Sequence, residues 1–246
     1  MSDDWDFYLL RVDDQPASIF VDLGIAGDAP IHTHPQLGYL RLVMRQPRPD
    51  GLSSQDEYEA LMAIEDQVIP QIVEAASAIF VGRNTTAGNR DFLFYVADVP
   101  AFETAATSAM KLFPAYTFEV GSREDADWAV YRDFLYPAPD DMQRIQNRRV
   151  VINLEQNGDN PTQPREIDHW VDAPDRTKQQ AIITHILSEG FALINAATTP
   201  DEQGYYSINF KRADIPANID DVTLPLIHRI TDLGGDYDGW GCTIQS

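Results

Sequence analysis

Two carboxylates, Asp236 and Asp238, stand two residues apart in Asp236-Tyr237-Asp238-Gly239-Trp240-Gly241-Cys242-Thr243-Ile244. On a strand that spacing puts them about 7 Å apart on one face. The pair has the residue types for general acid–base work or for ligating a hard cation. No further ligand stands at a fixed spacing, so catalysis is the weaker reading. An exposed acidic strand that resists edge pairing accounts for the aspartates. The same alternation places Trp240, Cys242 and Ile244 with the aspartates and turns Tyr237 and Thr243 to the other side. Tyr237 and Trp240 are types enriched in interface hot spots, which favours a binding surface over plain core packing. Gly239 and Gly241 weaken a strand interior, so they mark a bulge, a bend or the close approach of another surface.

Three other groups have chemistry to offer. His169-Trp170 stands near a strand end, where an imidazole could act as a general base. No serine or cysteine nucleophile accompanies it in a known motif, and a structural histidine is the preferred reading. Gly82-Arg83-Asn84-Thr85-Thr86-Ala87-Gly88-Asn89-Arg90 could form an anion-binding turn from Arg83, Asn84, Thr85 and Arg90. It lacks the lysine and spacing of a P-loop, and a plain hairpin turn also explains it. His32-Thr33-His34 could present two imidazoles to a metal, but without a third ligand a solvated loop is the simpler reading. The sequence therefore predicts no catalytic group, no metal and no cofactor.

Composition narrows the function classes. The chain has 246 residues, a net charge of -21 and an ordinary apolar fraction. It can bury a core as one large or two small domains. Direct RNA binding needs a basic surface and is not expected. Acidity suits a basic protein partner, or simply keeps the chain soluble. One cysteine, Cys242, gives no disulfide framework and no cysteine metal cage. Acidic residues after Met1 do not read as a signal peptide. No apolar run approaches the roughly 18 residues of a membrane span. The expected place is the cytoplasm, with no membrane partner and an oligomeric state the sequence leaves open.

The elements that must position these groups fall into two sets. Residues 5–11 and 17–22 form a hairpin, and 38–45 the next strand. Ser54-Gln55-Asp56-Glu57 is a capping box, with serine accepting from the third helical amide and glutamate reaching back. The helix that follows carries Leu61, Ile64, Val68 and Ile72, and Pro70 should kink or split it. Strands at 79–83 and 90–97, a helix capped by Asp98 and a strand at 116–120 complete the set. Trp128, Tyr131 and Leu135 then form one stripe that docks a short helix. A linker starts at Pro137. Residues 148–155 and 165–171 read as strands, and Asp172 caps a helix. A hairpin, a helix and the terminal strand follow. Each half reads strand, helix, strand, strand, helix, strand. The expected fold is α+β: two ferredoxin-like (βαββαβ) sandwich domains, each preceded by extra strands, over residues 1–144 and 145–246.

The terminal motif resembles the signature of the RraB family, protein inhibitors of ribonuclease E. Arg165-Glu166-Ile167-Asp168-His169-Trp170 is similar to that family's strand ending in an Ile-acid-His pattern. Glu189-Gly190-Phe191 is similar to its entry into the next strand. The resemblance spans about residues 165–246. Trp5-Asp6-Phe7-Tyr8, Val81-Gly82-Arg83-Asn84-Thr85 and residues 128–137 resemble an uncharacterised bacterial domain family found in front of RraB-like domains. That second likeness implies a fold and an arrangement but no activity.

The resemblance implies a non-enzymatic regulator that binds a ribonuclease E-like endonuclease and alters RNA cleavage by protein contact. Asp236, Tyr237, Asp238, Trp240, His169 and Trp170 are the candidate partner-binding residues. Two alternatives stay open: a hydrolase or small-molecule enzyme with a site between the domains, and a module that only self-associates through a sheet edge.

Overall fold

The structure is a computed structural model and describes residues 2–245. It divides into two compact units between Ala138 and Pro139. In the first, β1 (Trp5–Val12) and β2 (Gln15–Asp22) form a hairpin. Asp13 and Asp14 make its two-residue turn with φ of 47° and 61°, as such turns require. There follow β3 (Gln36–Val43), α1 (Gln55–Ala76), β4 (Ile79–Thr86), β5 (Asn89–Val96), α2 (Val99–Ala109) and β6 (Phe118–Glu124). The strands lie in the order β1-β2-β4-β5-β3-β6, each antiparallel to its neighbours. The stretch from β3 to β6 is a ferredoxin-like βαββαβ sandwich, with the β1–β2 hairpin added beyond β4.

Leu40, Leu42, Phe80, Phe92 and Phe94 form the sheet side of the first core, and Leu61, Ile64, Ile72 and Phe102 the helix side. Each large apolar side chain so buried contributes about 1.5–3 kcal/mol. Two helix expectations need correction. The capping box is not made: Ser54 Oγ has no partner, and Glu57 instead accepts from the amides of Arg45 at 2.8 Å and Gln46 at 2.7 Å. These amides follow β3, and they claim the carboxylate that would have reached back. Nor does Pro70 split α1. The helix runs through it, because the ring is exposed while Val68, Ile69 and Ile72 hold both halves on the sheet. Asp98 does cap α2, accepting from Ala101 N at 3.0 Å.

In the second unit come α3 (Pro139–Gln156), β7 (Arg165–Ala173), α4 (Arg176–Ser188), β8 (Ala192–Ala196), β9 (Tyr206–Asp214), α5 (Asp220–Asp232) and β10 (Asp236–Gly241). The sheet order is β10-β7-β9-β8, again all antiparallel. This is the same βαββαβ arrangement. The element before it differs from expectation: residues 148–155 belong to α3 and are not a strand. Pro139 opens the helix and Asp140 and Asp141 favour its first turn. Ile145 and Leu154 are buried, so packing overrides the β-branched run Val150-Val151-Ile152. Asp172 lies in β7; the cap of α4 is Asp175, which accepts from Lys178 N at 2.8 Å.

Candidate functional site

The terminal strand owes its shape to a bulge. Tyr237 pairs with Val171 and Gly239 with Trp170, so Asp238 is the extra residue. Gly239 adopts φ of 143°, a conformation that a side chain disfavours. One inserted residue reverses the facing of everything beyond it. Trp240 therefore joins Tyr237 on the helix side, opposite His169, and no longer shares a face with Asp236.

That corrects two of the expected contact residues, His169 and Trp240, and leaves Tyr237 half-buried. His169 is 0% exposed, stacks on Phe210 with ring centroids 5.4 Å apart and meets the edge of Phe191. Its Nδ1 bonds Tyr237 Oη at 2.8 Å, while Nε2 is buried without a partner. Burial lowers the imidazole pKa to about 4, since the charged form loses its hydration. Burial also raises the Tyr237 hydroxyl. Trp240 is buried with Leu154, Ile167 and Ile219, and its indole N–H donates to Asn147 Oδ1 of α3 at 2.7 Å. Asn147 in turn donates to Asp220 and Thr223 of α5. His169 and Trp240 are held inside the unit, Tyr237 is half-buried beside them, and together they shape the sheet from beneath.

The opposite face is where contact can occur. Residues at alternate positions of β7, namely Glu166, Asp168, Trp170 and Asp172, turn away from the helices. Trp170 is 39% exposed. Its ring leans towards β10, with Cη2 3.5 Å from where a Cβ at Gly241 would stand. Asp172 pairs with Asp236 across the ladder. Its carboxyl is raised above the ordinary range, first by burial and then by the charges of Asp238, Asp201 and Asp236. At the other end Lys211 meets Glu166 at 2.8 Å and offsets part of the charge. Among the described residues, Asp172, Asp236 and Asp238 have no salt-bridge partner. An exposed indole beside clustered carboxylates suits a guanidinium or ammonium group, which gains both Coulomb attraction and a cation–π contact. Asp168 and Asp172 were legible through the period of two along β7, which the reading of Asp172 as a helix cap obscured.

Residues 3–136 match the model of a family of unknown function, DUF695. The chain belongs to the DUF695 family. Residues 144–242 match the model described as Regulator of ribonuclease activity B. No curated protein matches the chain. An unknown protein from Galdieria sulphuraria is 14% identical, with a TM-score of 0.24, over 85% of this chain and 99% of that one. A putative glycine cleavage system transcriptional repressor is 9% identical, with a TM-score of 0.26, over 85% of this chain and 98% of that one. Scores this low carry no weight for function.

In the DUF695 unit the expected anion-binding turn is not assembled. The hairpin turn is Ala87-Gly88, with φ of 47° and 78°. Arg83 and Arg90 both pair with Glu65 of α1, whose single charge offsets one of the two, so neither guanidinium is presented by the turn. Thr85 is buried opposite Arg90, and Asn84 lies on the other face of the sheet, opposite Asp91. His34 is a structural latch: Nε2 bonds Ser77 O at 2.9 Å, and its carbonyl accepts from Trp128 Nε1 at 3.0 Å. Among the described residues no three His, Cys, Asp or Glu side chains gather to hold a metal ion. No described helix is long and apolar enough to cross a membrane.

Proposed function

We propose that the chain is a non-enzymatic regulator of ribonuclease activity, acting in the cytoplasm by protein contact with a ribonuclease E-like endonuclease. The match of residues 144–242 to Regulator of ribonuclease activity B carries this reading. The contact surface is the open face of β10-β7-β9-β8, with Trp170 at its centre and Asp172, Asp236 and Asp238 beside it. The carboxylates attract a basic segment of the nuclease and the indole packs against it. His169, Tyr237 and Trp240 act by holding that face in shape. The net charge of -21 disfavours contact with RNA itself.

The test is titration of the full chain into the host's ribonuclease E cleaving a structured RNA. Slowed cleavage without RNA binding supports the reading. Trp170→Ala should weaken the effect by about 2 kcal/mol, the scale of an interface hot spot. Unchanged cleavage at saturating chain would leave residues 144–242 with the fold of the regulator and not its job.

Self-association through a sheet edge is the second reading, favoured by β8, where Leu193 and Ile194 are 39% and 47% exposed. The strand is short and bulged between Leu193 and Asn195, both features that blunt edge pairing. A monomeric mass in solution would exclude it.

A further inference from the structure

Across the DUF695 sheet, Gly82, Leu93, Tyr39 and Gly121 stand side by side on the face turned away from α1 and α2, its second face. Two of the four have no side chain. Over Gly82 the gap is filled by Leu135, whose Cδ1 is 3.4 Å from where a Cβ would stand. Over Gly121 it is filled by Tyr39, whose Cε1 is 2.8 Å from the corresponding point and whose hydroxyl donates to Glu119 at 2.8 Å. One side chain is drawn over β4 and the other over β6. Leu93 of β5 is left between them as the floor of a cavity of about 440 Å³. A volume of that size is typical of small-ligand sites. One wall is Val130 and Phe134, from the segment that follows β6. That segment is irregular there: Val130–Leu135 is a π-helix, and the buried Trp128 before it holds φ of 56°. Such turns recur at functional sites, and a bulky residue seldom takes a left-handed conformation.

The polar groups around the cavity differ in what they can offer. The Asn84 amide oxygen is shut off from solvent, so no ligand reaches it. Arg41 and Asp91 are joined by two bonds of 2.8 Å and cancel each other's charge. Nearby, Glu119 is held by Tyr39, and Asp125 accepts from Tyr95 Oη and from the amides of Ala129 and Val130. Arg123 also lines the cavity; it is exposed and has no ion-pair partner among the described residues. Leu37 and Leu93, which line it too, are buried. Positive charge therefore stands at the mouth and apolar surface at the floor. A carboxylate gains a charge-assisted pair with a guanidinium. A second negative charge on the ligand would face Asp91 and Glu119 with no cation left to meet it. An ammonium would find no carboxylate there without a partner.

We propose that this cavity binds a small monocarboxylic acid with one aromatic ring system or a branched apolar chain and no amino group. Its carboxylate pairs with Arg123 at the mouth, and its apolar body lies on Leu93 beside Phe134. The inference is independent of the nuclease contact, which uses the other unit.

Calorimetric titration of the full chain tests it. The probes are phenylpropionate, indoleacetate and isocaproate, their primary amides, and phenylalanine. Saturable binding of at least one acid is expected. Amidation of that acid and Arg123→Gln should each weaken binding about tenfold, the loss of one charge-assisted pair. Phenylalanine, which adds only an ammonium to phenylpropionate, should not displace the bound acid at equal concentration. The amides probe the ion pair on the unaltered protein, so the test stands even if a substitution disturbs folding. Absence of saturable binding by all three acids, affinity indifferent to amidation and to Arg123→Gln, or displacement by phenylalanine overturns the proposal.

Discussion

On the second face of the DUF695 sheet, Tyr95 lies under Trp128, ring centroids 3.9 Å apart and planes 6° from parallel. On the second face of the carboxyl-terminal sheet, Trp170 stands 39% exposed. The four βαββαβ strands have the same order in both sheets, and both sheets carry their two crossover helices on the first face. The difference comes from the flanking chain. After β6, residues 125–136 fold back across the sheet. Tyr95 Oη donates to Asp125 at 2.6 Å, Tyr131 Oη to the Asp22 carbonyl at 2.7 Å, and Tyr8 Oη to the Leu135 carbonyl at 3.0 Å. Buried hydroxyls so satisfied fix the cover as firmly as its rings do. In the other unit the flanking helix α3 packs with α5 over Trp240, on the helix side. One topology therefore yields a covered face bordered by a half-open cavity and an open face that presents an aromatic residue.

The largest effect that separates the two faces should come from matched tryptophan deletions. Trp128→Ala removes a fully buried side chain, its stack on Tyr95 and its bond to His34 O. It should destabilise the first unit by about 3–5 kcal/mol in urea titration. Trp170→Ala should cost about 1 kcal/mol or less, the range of a surface substitution, while weakening the effect on nuclease cleavage. Equal losses of stability would erase the distinction between cover and contact.

A smaller effect distinguishes the undersides. His169 has a folded pKa of about 4, below its unfolded value of about 6.5. Between those values the unfolded chain binds the proton and the folded chain does not. Stability is thus highest above pH 6.5 and falls as pH drops towards 4. The loss between pH 7 and pH 5 is about 2 kcal/mol. It should appear in the unfolding of the second unit, and His169→Gln should flatten that slope. A slope unchanged by His169→Gln would assign the acid sensitivity to another group.

Much of this was legible before the structure. The period of two in β9 and the run Phe92-Leu93-Phe94-Tyr95-Val96 marked strands, and the repeated element order gave both sandwiches. Gly239 signalled a bulge, but its position within the strand was needed to say which aromatic turned inward, and a one-residue shift moved Trp240 from the expected surface to the core. The charges of Arg83 and Arg90 were visible as a pair; Glu65, 18 residues before Arg83, was not visible as their shared partner. The same is true of α3. Its β-branched run read as strand because Asn147 and its contacts with α5 are tertiary facts. Local signals described elements well and partners poorly, because partners are set by which elements meet.

Gly239→Ala tests the bulge itself. The site has open space for a methyl group, so its cost comes from the backbone at φ of 143°, about 1–3 kcal/mol. If the strand instead slips register to relieve strain, Trp240 leaves Asn147, which a shift in tryptophan emission would report. The smallest and most pointed test is Asp172→Asn. The fold holds the Asp172 carboxyl above its ordinary pKa, through burial and the charges of Asp238, Asp201 and Asp236. Its charged form is therefore disfavoured in the folded state, and the penalty applies at pH values above the raised pKa and fades as pH falls through it. At pH 7 the amide should raise the unfolding midpoint slightly and weaken the nuclease contact, whereas at low pH the stability gain should vanish. A face built only for solubility would give the gain in stability with no loss of contact, so the two readouts must move in opposite directions if the clustered charge exists for a partner.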